Sequence, residues 1–139
     1  MASKKSIKGV LVANTETKTT IKPYVFEQTT KSNLNLERIY AMLECSCIDV
    51  ATRKFGNNYY DIYCDDEGLF KKDNLPTIAT FDDNGNLVEQ IVGNVFVCKH
   101  DGEGGMESLT DSEIQEVLKN LLVYQDHNGI QRVCLGAAL

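Results

Sequence analysis

Two histidines, five cysteines and three arginines set narrow limits on the chemistry open to this chain. A metal-dependent phosphodiesterase gathers His and Asp side chains, and a second class carries paired His-x-Ser/Thr motifs. Here His100 is followed by Asp101-Gly102 and His127 by Asn128-Gly129, so neither pattern fits, and each histidine reads first as a loop residue. The members of a Ser-His-Asp or Cys-His arrangement need not be adjacent. A metal-independent hydrolase using Asp61, Asp65 or His100 therefore stays open, although no nucleophile-elbow sequence announces one.

The acidic stretches resemble active loops but read as turns. Asp82-Asp83-Asn84-Gly85-Asn86 has its glycine at the fourth position, whereas a calcium loop of the EF-hand type needs it at the sixth. Asp61, Asp65, Asp66 and Glu67 gather near a strand end closed by Gly68. Asp101-Gly102-Glu103-Gly104-Gly105 lacks the Lys-Ser/Thr pair of a phosphate loop, and its acids would repel phosphate. Cys45-x-Cys47 has no second pair to complete four ligands. No metal and no cofactor are expected.

What remains suits the holding of a ligand. Tyr59, Tyr60, Tyr63, Phe81 and Phe96 can stack on a base or pack a core. Among Arg38, Arg53 and Arg132, the last two are candidates for phosphate contact, since guanidinium binds phosphate in a bidentate way. Asn94 sits inside the apolar run from Ile91 to Cys98, where a buried amide must find partners and a ligand edge is one such partner.

The elements that would position these groups are legible in outline. Ile7–Val12 and Thr19–Phe26 read as strands, with Pro23 marking the second as an edge or an interrupted strand. Leu36, Ile39, Tyr40 and Leu43 predict a helix near 33–45, capped by Ser32, Asn33 or Asn35. Residues 47–55 and 59–64 flank Gly56-Asn57-Asn58 as a hairpin. Ala79–Phe81 and Leu87–Glu89 make a second hairpin, and residues 69–79 read as irregular. Ile91–Cys98 reads as one buried strand with a bulge or a close backbone approach at Gly93-Asn94. Thr110 and Glu113 form a capping box, with Leu109 and Ile114 as its hydrophobic staple. Ile114, Val117, Leu118, Leu121 and Leu122 then predict a C-terminal helix near 111–124. The apolar tail from Ile130 to Leu139 would dock on the domain or on a neighbouring subunit. The expectation is a single α+β domain over 1–139, mainly an antiparallel β-sheet of about six strands with two helices.

Composition narrows the partners. With 42% hydrophobic residues, 139 residues can fill one core. No apolar run approaches the roughly 18–20 residues of a membrane span, so a cytoplasmic protein is expected. Five cysteines without a repeating spacing read as buried thiols in a reducing compartment. Residues 1–54 carry nine Lys/Arg against five Asp/Glu, a net +4, and residues 55–139 carry five against fifteen, a net −10. That polarity argues against binding of a DNA or RNA duplex, which needs a continuous basic face. It permits a local anion site or complementary contacts between subunits.

In order along the chain stand Lys8-Gly9-Val10-Leu11-Val12, Cys47-Ile48-Asp49-Val50, Tyr60–Leu69, Ile91-Val92-Gly93-Asn94 and Ser108-Leu109-Thr110-Asp111. Together they resemble a family of small phage and prophage proteins, long filed as a domain of unknown function, that looks related to the Thoeris anti-defence sponges. The resemblance implies a non-enzymatic protein that binds a cyclic ADP-ribose signal of bacterial immunity and holds it uncleaved. It also implies dimers or hexamers, and cyclic oligonucleotides as further ligands. Val92-Gly93-Asn94 carries over a position, with Asn94 as ligand contact, Phe81 and Phe96 as neighbouring aromatics, and Arg53 and Arg132 as cations. Two other readings stay open: the hydrolase above, and an interaction module that binds a host protein through the tail after Asn128.

Overall fold

Alternating apolar residues on three neighbouring strands give this chain a sheet whose centre is buried on both faces. The computed structural model describes residues 4–14, 19–29, 36–45, 48–65, 76–81, 84, 86–102, 105–125, 129 and 131–135. The elements run β1 (Lys4–Asn14), β2 (Thr19–Thr29), α1 (Leu36–Leu43), β3 (Ile48–Phe55), β4 (Asn58–Asp65), β5 (Pro76–Phe81), β6 (Leu87–Val92), β7 (Val95–His100), β8 (Met106–Glu107), α2 (Asp111–Asn120), β9 (Leu121–Gln125) and β10 (Gln131–Leu135).

The main sheet has the order β2-β1-β7-β4-β3, with β8 added to β7. All its pairings are antiparallel, including Val10↔Val97, Asp61↔Cys98 and Thr52↔Asp61. Pro23 lies in β2, at the edge of this sheet, where its missing N–H interrupts no inner ladder. A second, four-stranded sheet has the order β6-β5-β10-β9, and β10 pairs with β5 in parallel. The fold is α+β and mainly antiparallel, as expected, with six strands in the main sheet and two helices. The apolar tail lies partly within the second sheet, since β10 is paired on both sides, with β5 and β9.

Successive side chains on a strand point to opposite faces, and the two faces of the main sheet carry different cores. On one face Val10, Val12, Tyr60, Ile62, Val95 and Val97 pack with Phe55 against Leu109, Ile114 and Val117 of α2 and its N-terminal approach. On the other face Ile7, Leu11, Tyr63, Phe96, Cys98 and Met106 pack against Ile39 and Leu43 of α1.

The α2 start is as expected. The Thr110 hydroxyl accepts from the Glu113 N–H at 3.2 Å, and the Thr110 N–H donates to Glu113 Oε1 at 2.8 Å. Its end is not. The helix stops at Asn120, and Leu121–Gln125 forms β9, paired with β10 through Leu122↔Cys134 and Val123↔Val133. The stripe of helical spacing continued into Leu121 and Leu122, but a β-branched and aromatic run with a strand partner prefers the extended ladder. Leu121 has φ −99° and ψ 111°, so it closes the core as the first strand residue.

A second difference lies at Gly93. The expected single strand from Ile91 to Cys98 is two strands in different sheets, β6 ending at Val92 and β7 starting at Val95. Gly93 has φ +89°, a conformation natural to glycine, and the chain changes sheets there. Of residues 69–79, expected to be irregular, 69–75 lie outside the described residues, and 76–79 belong instead to β5, which Pro76 opens. No helix among the described residues is long and apolar enough to cross a membrane.

Candidate functional site

The α1 face of the main sheet carries the buried polar residues: Asp61, Asp65 and Asn94 are 4%, 8% and 8% exposed. Alternation puts Asp61 and Asp65 on either side of Tyr63, and Asn94 two residues before Phe96, all on the side facing α1. The face thus has two polar ends and an apolar middle of Tyr63, Phe96 and Cys98.

The upper end is built around the close of α1. The Cys45 N–H donates to the Tyr40 carbonyl at 3.0 Å, the six-to-one bond of a Schellman motif. Glu44 takes the left-handed position of that motif, with φ +54°, where glycine is usual. The Glu44 side chain then reaches Asn94, whose Nδ2 donates to Glu44 Oε2 at 2.9 Å. The buried amide predicted to need a partner has one within the protein, from the end of a helix fifty residues earlier in the chain.

At the lower end Asp61 is held from two sides. Thr52 donates its hydroxyl to Asp61 Oδ1 at 2.9 Å, and His100 Nδ1 lies 2.9 Å from Asp61 Oδ2. The His100 side chain is 63% exposed while that of Asp61 is 6% exposed. With Asp61 ionised, Nδ1 carries a proton and donates, and Nε2 is the ring nitrogen left for another partner. Burial pushes the Cys98 thiol up, with the Asp61 charge adding to it, so Cys98 is a protonated thiol and no nucleophile. Burial likewise raises the Tyr63 hydroxyl, helped by Cys98, Asp61 and Asp101.

Of the other expected site residues, the described Phe96 and Arg53 offer no surface beside Asn94. Phe96 is 0% exposed, and Tyr24 meets its ring edge-on at 6.4 Å between centroids. Gly9 lies against it so closely that a Cβ there would meet the Phe96 ring at 2.6 Å. Phe96 is therefore core and presents no face for stacking on a base, because the α1 face closes over it. Arg53 pairs with Tyr60, its side chain belongs to the α2 side, and its Nη1 donates to the Thr52 carbonyl at 2.7 Å. Register puts Arg53 level with Lys99, five residues along β7 from Asn94, or roughly 17 Å at strand rise. Phe81 ends β5 and Arg132 lies on β10 opposite Tyr124, both in the second sheet. The side chains of these two lie outside the described residues, as do Cys47, Asp66, Glu67, Gly68, Asp82, Asp83, Gly85 and His127.

Of the acidic stretches read as turns, Asp61 and Asp65 are instead buried residues of β4, while the loop at Asp101 is as expected. Asp101 closes its own loop: its N–H donates to the Gly105 carbonyl at 2.9 Å, and its Oδ1 accepts from the Gly105 N–H at 2.9 Å. Among the described residues no group of three His, Cys, Asp or Glu side chains could hold a metal ion. The pairing of Asp61 with His100 is what sequence reading missed. One signal for it was present, a carboxylate inside the otherwise apolar run Tyr60-Asp61-Ile62-Tyr63-Cys64.

Residues 7–122 match the family described as a domain of unknown function, DUF3846. The chain belongs to the DUF3846 family. No curated protein matches it, and no solved structure does. The DUF3846 match runs from the start of the β1 core through α2. It takes in both polar ends of the α1 face, whereas Arg132 and β10 lie beyond it.

Proposed function

We propose that this DUF3846 protein is a non-enzymatic binder that sequesters a cyclic nucleotide immune signal. The signal is a cyclic ADP-ribose isomer, with cyclic oligonucleotides as further ligands, and its capture blocks bacterial anti-phage defence. The protein acts in the host cytoplasm as a homo-oligomer, a dimer or hexamer. The observation that carries this reading is Asn94, a buried amide next to left-handed Gly93 at the junction of the two sheets. A buried amide beside a backbone without a side chain suits the hydrogen-bonding edge of a base or ribose. The ordered motifs shared with the sponge-like phage proteins, Val92-Gly93-Asn94 among them, supply the ligand class. A sponge needs affinity without turnover, so a site built from amides, aromatics and a few cations is sufficient.

The test is to load purified protein with each cyclic ADP-ribose isomer, remove free ligand, denature by heat and identify what is released. The expected result is stoichiometric, intact ligand. Asn94→Ala lowers affinity about tenfold or more, the value of roughly one lost hydrogen bond. Full affinity in that variant removes Asn94 from the site. A second reading, metal-independent hydrolysis, is favoured by the 2.9 Å contact of Asp61 with His100. Release of cleaved product, abolished by His100→Ala, would establish it in place of the sponge. Asp65 stands four residues along β4 from Asp61, roughly 13 Å away, and belongs to the other end of the face.

A further inference from the structure

The lower end of the α1 face carries an exposed tyrosine and a half-buried lysine that neither reading above uses, beside the His100 of the second reading. Tyr59 is two residues before Asp61 on β4 and so shares its side of the sheet. It is 66% exposed, the most open of the exposed large hydrophobics. Lys54 is its direct cross-strand partner on β3, which puts the ammonium stem beside the phenol ring. On the other flank stands His100, whose Nδ1 lies 2.9 Å from Asp61 Oδ2, two residues along β4 from Tyr59. Met106, opposite His100 on β8, lies in the α1-side core, which fixes the same face for His100. Among the described residues the side chains of Lys54 and Tyr59 have no hydrogen-bond or ion-pair partner. Neighbouring strands are spaced by about 4.8 Å, so the three groups lie within roughly 10 Å of one another, the span of a mononucleotide.

We infer that Tyr59, Lys54 and His100 form a binding site for an aromatic phosphate ester, of which a nucleoside monophosphate is the simplest form. Tyr59 provides the stacking surface, which accepts any flat heterocycle. Lys54 provides a cation, and His100, whose Nδ1 donates to Asp61, donates from Nε2 to the phosphate oxygens in its imidazolium form. Asp61 and Thr52 are positioning residues. The carboxylate fixes the His100 ring through Nδ1 at 2.9 Å, and the Thr52 hydroxyl fixes the carboxylate at 2.9 Å. Both Asp61 oxygens are engaged, and the neighbouring carboxylate of Asp101 closes its own loop. The inference does not depend on a cyclic signal binding beside Asn94, since the two ends of the face are separate.

Calorimetric titration with adenosine 5′-monophosphate, adenosine and inorganic phosphate tests it. The monophosphate binds more tightly than either fragment. Tyr59→Ala lowers its affinity tenfold or more, to the level of phosphate alone. Lys54→Gln lowers it to the level of adenosine. Asn94→Ala leaves it unchanged, which separates this site from the one proposed above. Tyr59 is exposed and Lys54 half-buried without a polar partner among the described residues, so the unfolding midpoints of Tyr59→Ala and Lys54→Gln stay close to the wild-type value. Absence of binding at millimolar monophosphate, or unchanged affinity in both Tyr59→Ala and Lys54→Gln, overturns the inference. Equal binding of phosphate and monophosphate also overturns it, since the aromatic ring would then contribute nothing.

Discussion

The two faces of the main sheet are built differently. The α2 face is closed by a ten-residue helix with a complete capping box. Its acids meet cations from the strands beneath: Lys8 Nζ lies 2.8 Å from Asp111, and Lys99 Nζ 2.8 Å from Glu113. At its far end Glu116 Oε1 accepts from Tyr60 at 2.6 Å and from Asn58 at 2.7 Å, which ties the helix to the β3–β4 hairpin. The α1 face is covered by eight helical residues that end on a left-handed glutamate, and it retains Asp61, Asp65 and Asn94 in buried positions. Buried polar groups cost stability unless paired, and left-handed non-glycine residues cost roughly 1–2 kcal/mol. One face is arranged for stability. The other ends its helix on a left-handed glutamate and holds its buried Asn94 and Asp61 through side-chain partners, Glu44 for the first and Thr52 with His100 for the second.

The largest effect that sharpens this contrast is Phe55→Ala on the α2 face. Phe55 is fully buried and meets the Tyr60 ring edge-on at 5.7 Å. The change costs about 3–5 kcal/mol in urea unfolding. A loss under about 1 kcal/mol, at the floor of ordinary core truncations, would break the claim that this face carries the stability.

Gly9→Ala comes next and probes the apolar middle of the α1 face. A Cβ at residue 9 would stand 2.3 Å from the Val97 carbonyl oxygen, a backbone atom that cannot rotate away. The expected cost is about 1–3 kcal/mol by the same urea assay, from forced separation of β1 and β7. A neutral result would mean the two strands are looser than their register implies.

The two helix ends give a smaller and opposite pair. Thr110→Ala removes the capping box and costs about 1 kcal/mol. Glu44→Gly removes left-handed strain but also the bond to Asn94, so it stays within about 1 kcal/mol of wild type. A loss at Glu44 as large as that at Thr110 would put the α1 end on the same footing as α2.

The smallest effect is a pH dependence located on the α2 face. The hydrogen bond from Tyr60, then that from Asn58, holds Glu116 below the usual glutamate range. Lys8 does the same for Asp111. Burial alone would raise Glu113, but hydrogen bonds from Lys99 and Thr110 outweigh it and leave it lowered. Carboxylates depressed in the folded state add stability above their unfolded pKa, and that stability is lost as pH falls through the folded pKa. The urea midpoint should therefore decline below about pH 4.5. Glu116→Gln should flatten part of that decline, and an unaltered slope would remove the Glu116 latch from the account.

Local patterns made most elements legible. Alternation in Ile7–Val12, the Gly56-Asn57-Asn58 turn and the Thr110–Glu113 box each act within a few residues, and each appears where it was read. Patterns failed where a distant partner decided. Leu121 and Leu122 fit a helical stripe, but β10 offered strand pairing. Ile91–Cys98 looked like one strand, yet its halves joined different sheets at Gly93. The candidate site was legible only by composition. Asn94 was singled out as a polar residue in an apolar run, and it is buried. Composition equally favours Phe96, which fills the core, and Arg53, which lies far along the sheet.

The sequence by itself determined the α+β class, that the strand carrying Pro23 is either an edge or interrupted, and the start of α2. Each follows from backbone geometry or hydrogen-bond supply within a single turn of chain. Only the tertiary structure decided that Asp61 meets His100 across 39 residues, that Asn94 is held by Glu44 across 50, and that Tyr59, Lys54 and His100 share one end of one face. Strand order and register bring those residues together. They are set by which apolar faces pack against each other over the whole chain, and no short window of residues contains that information.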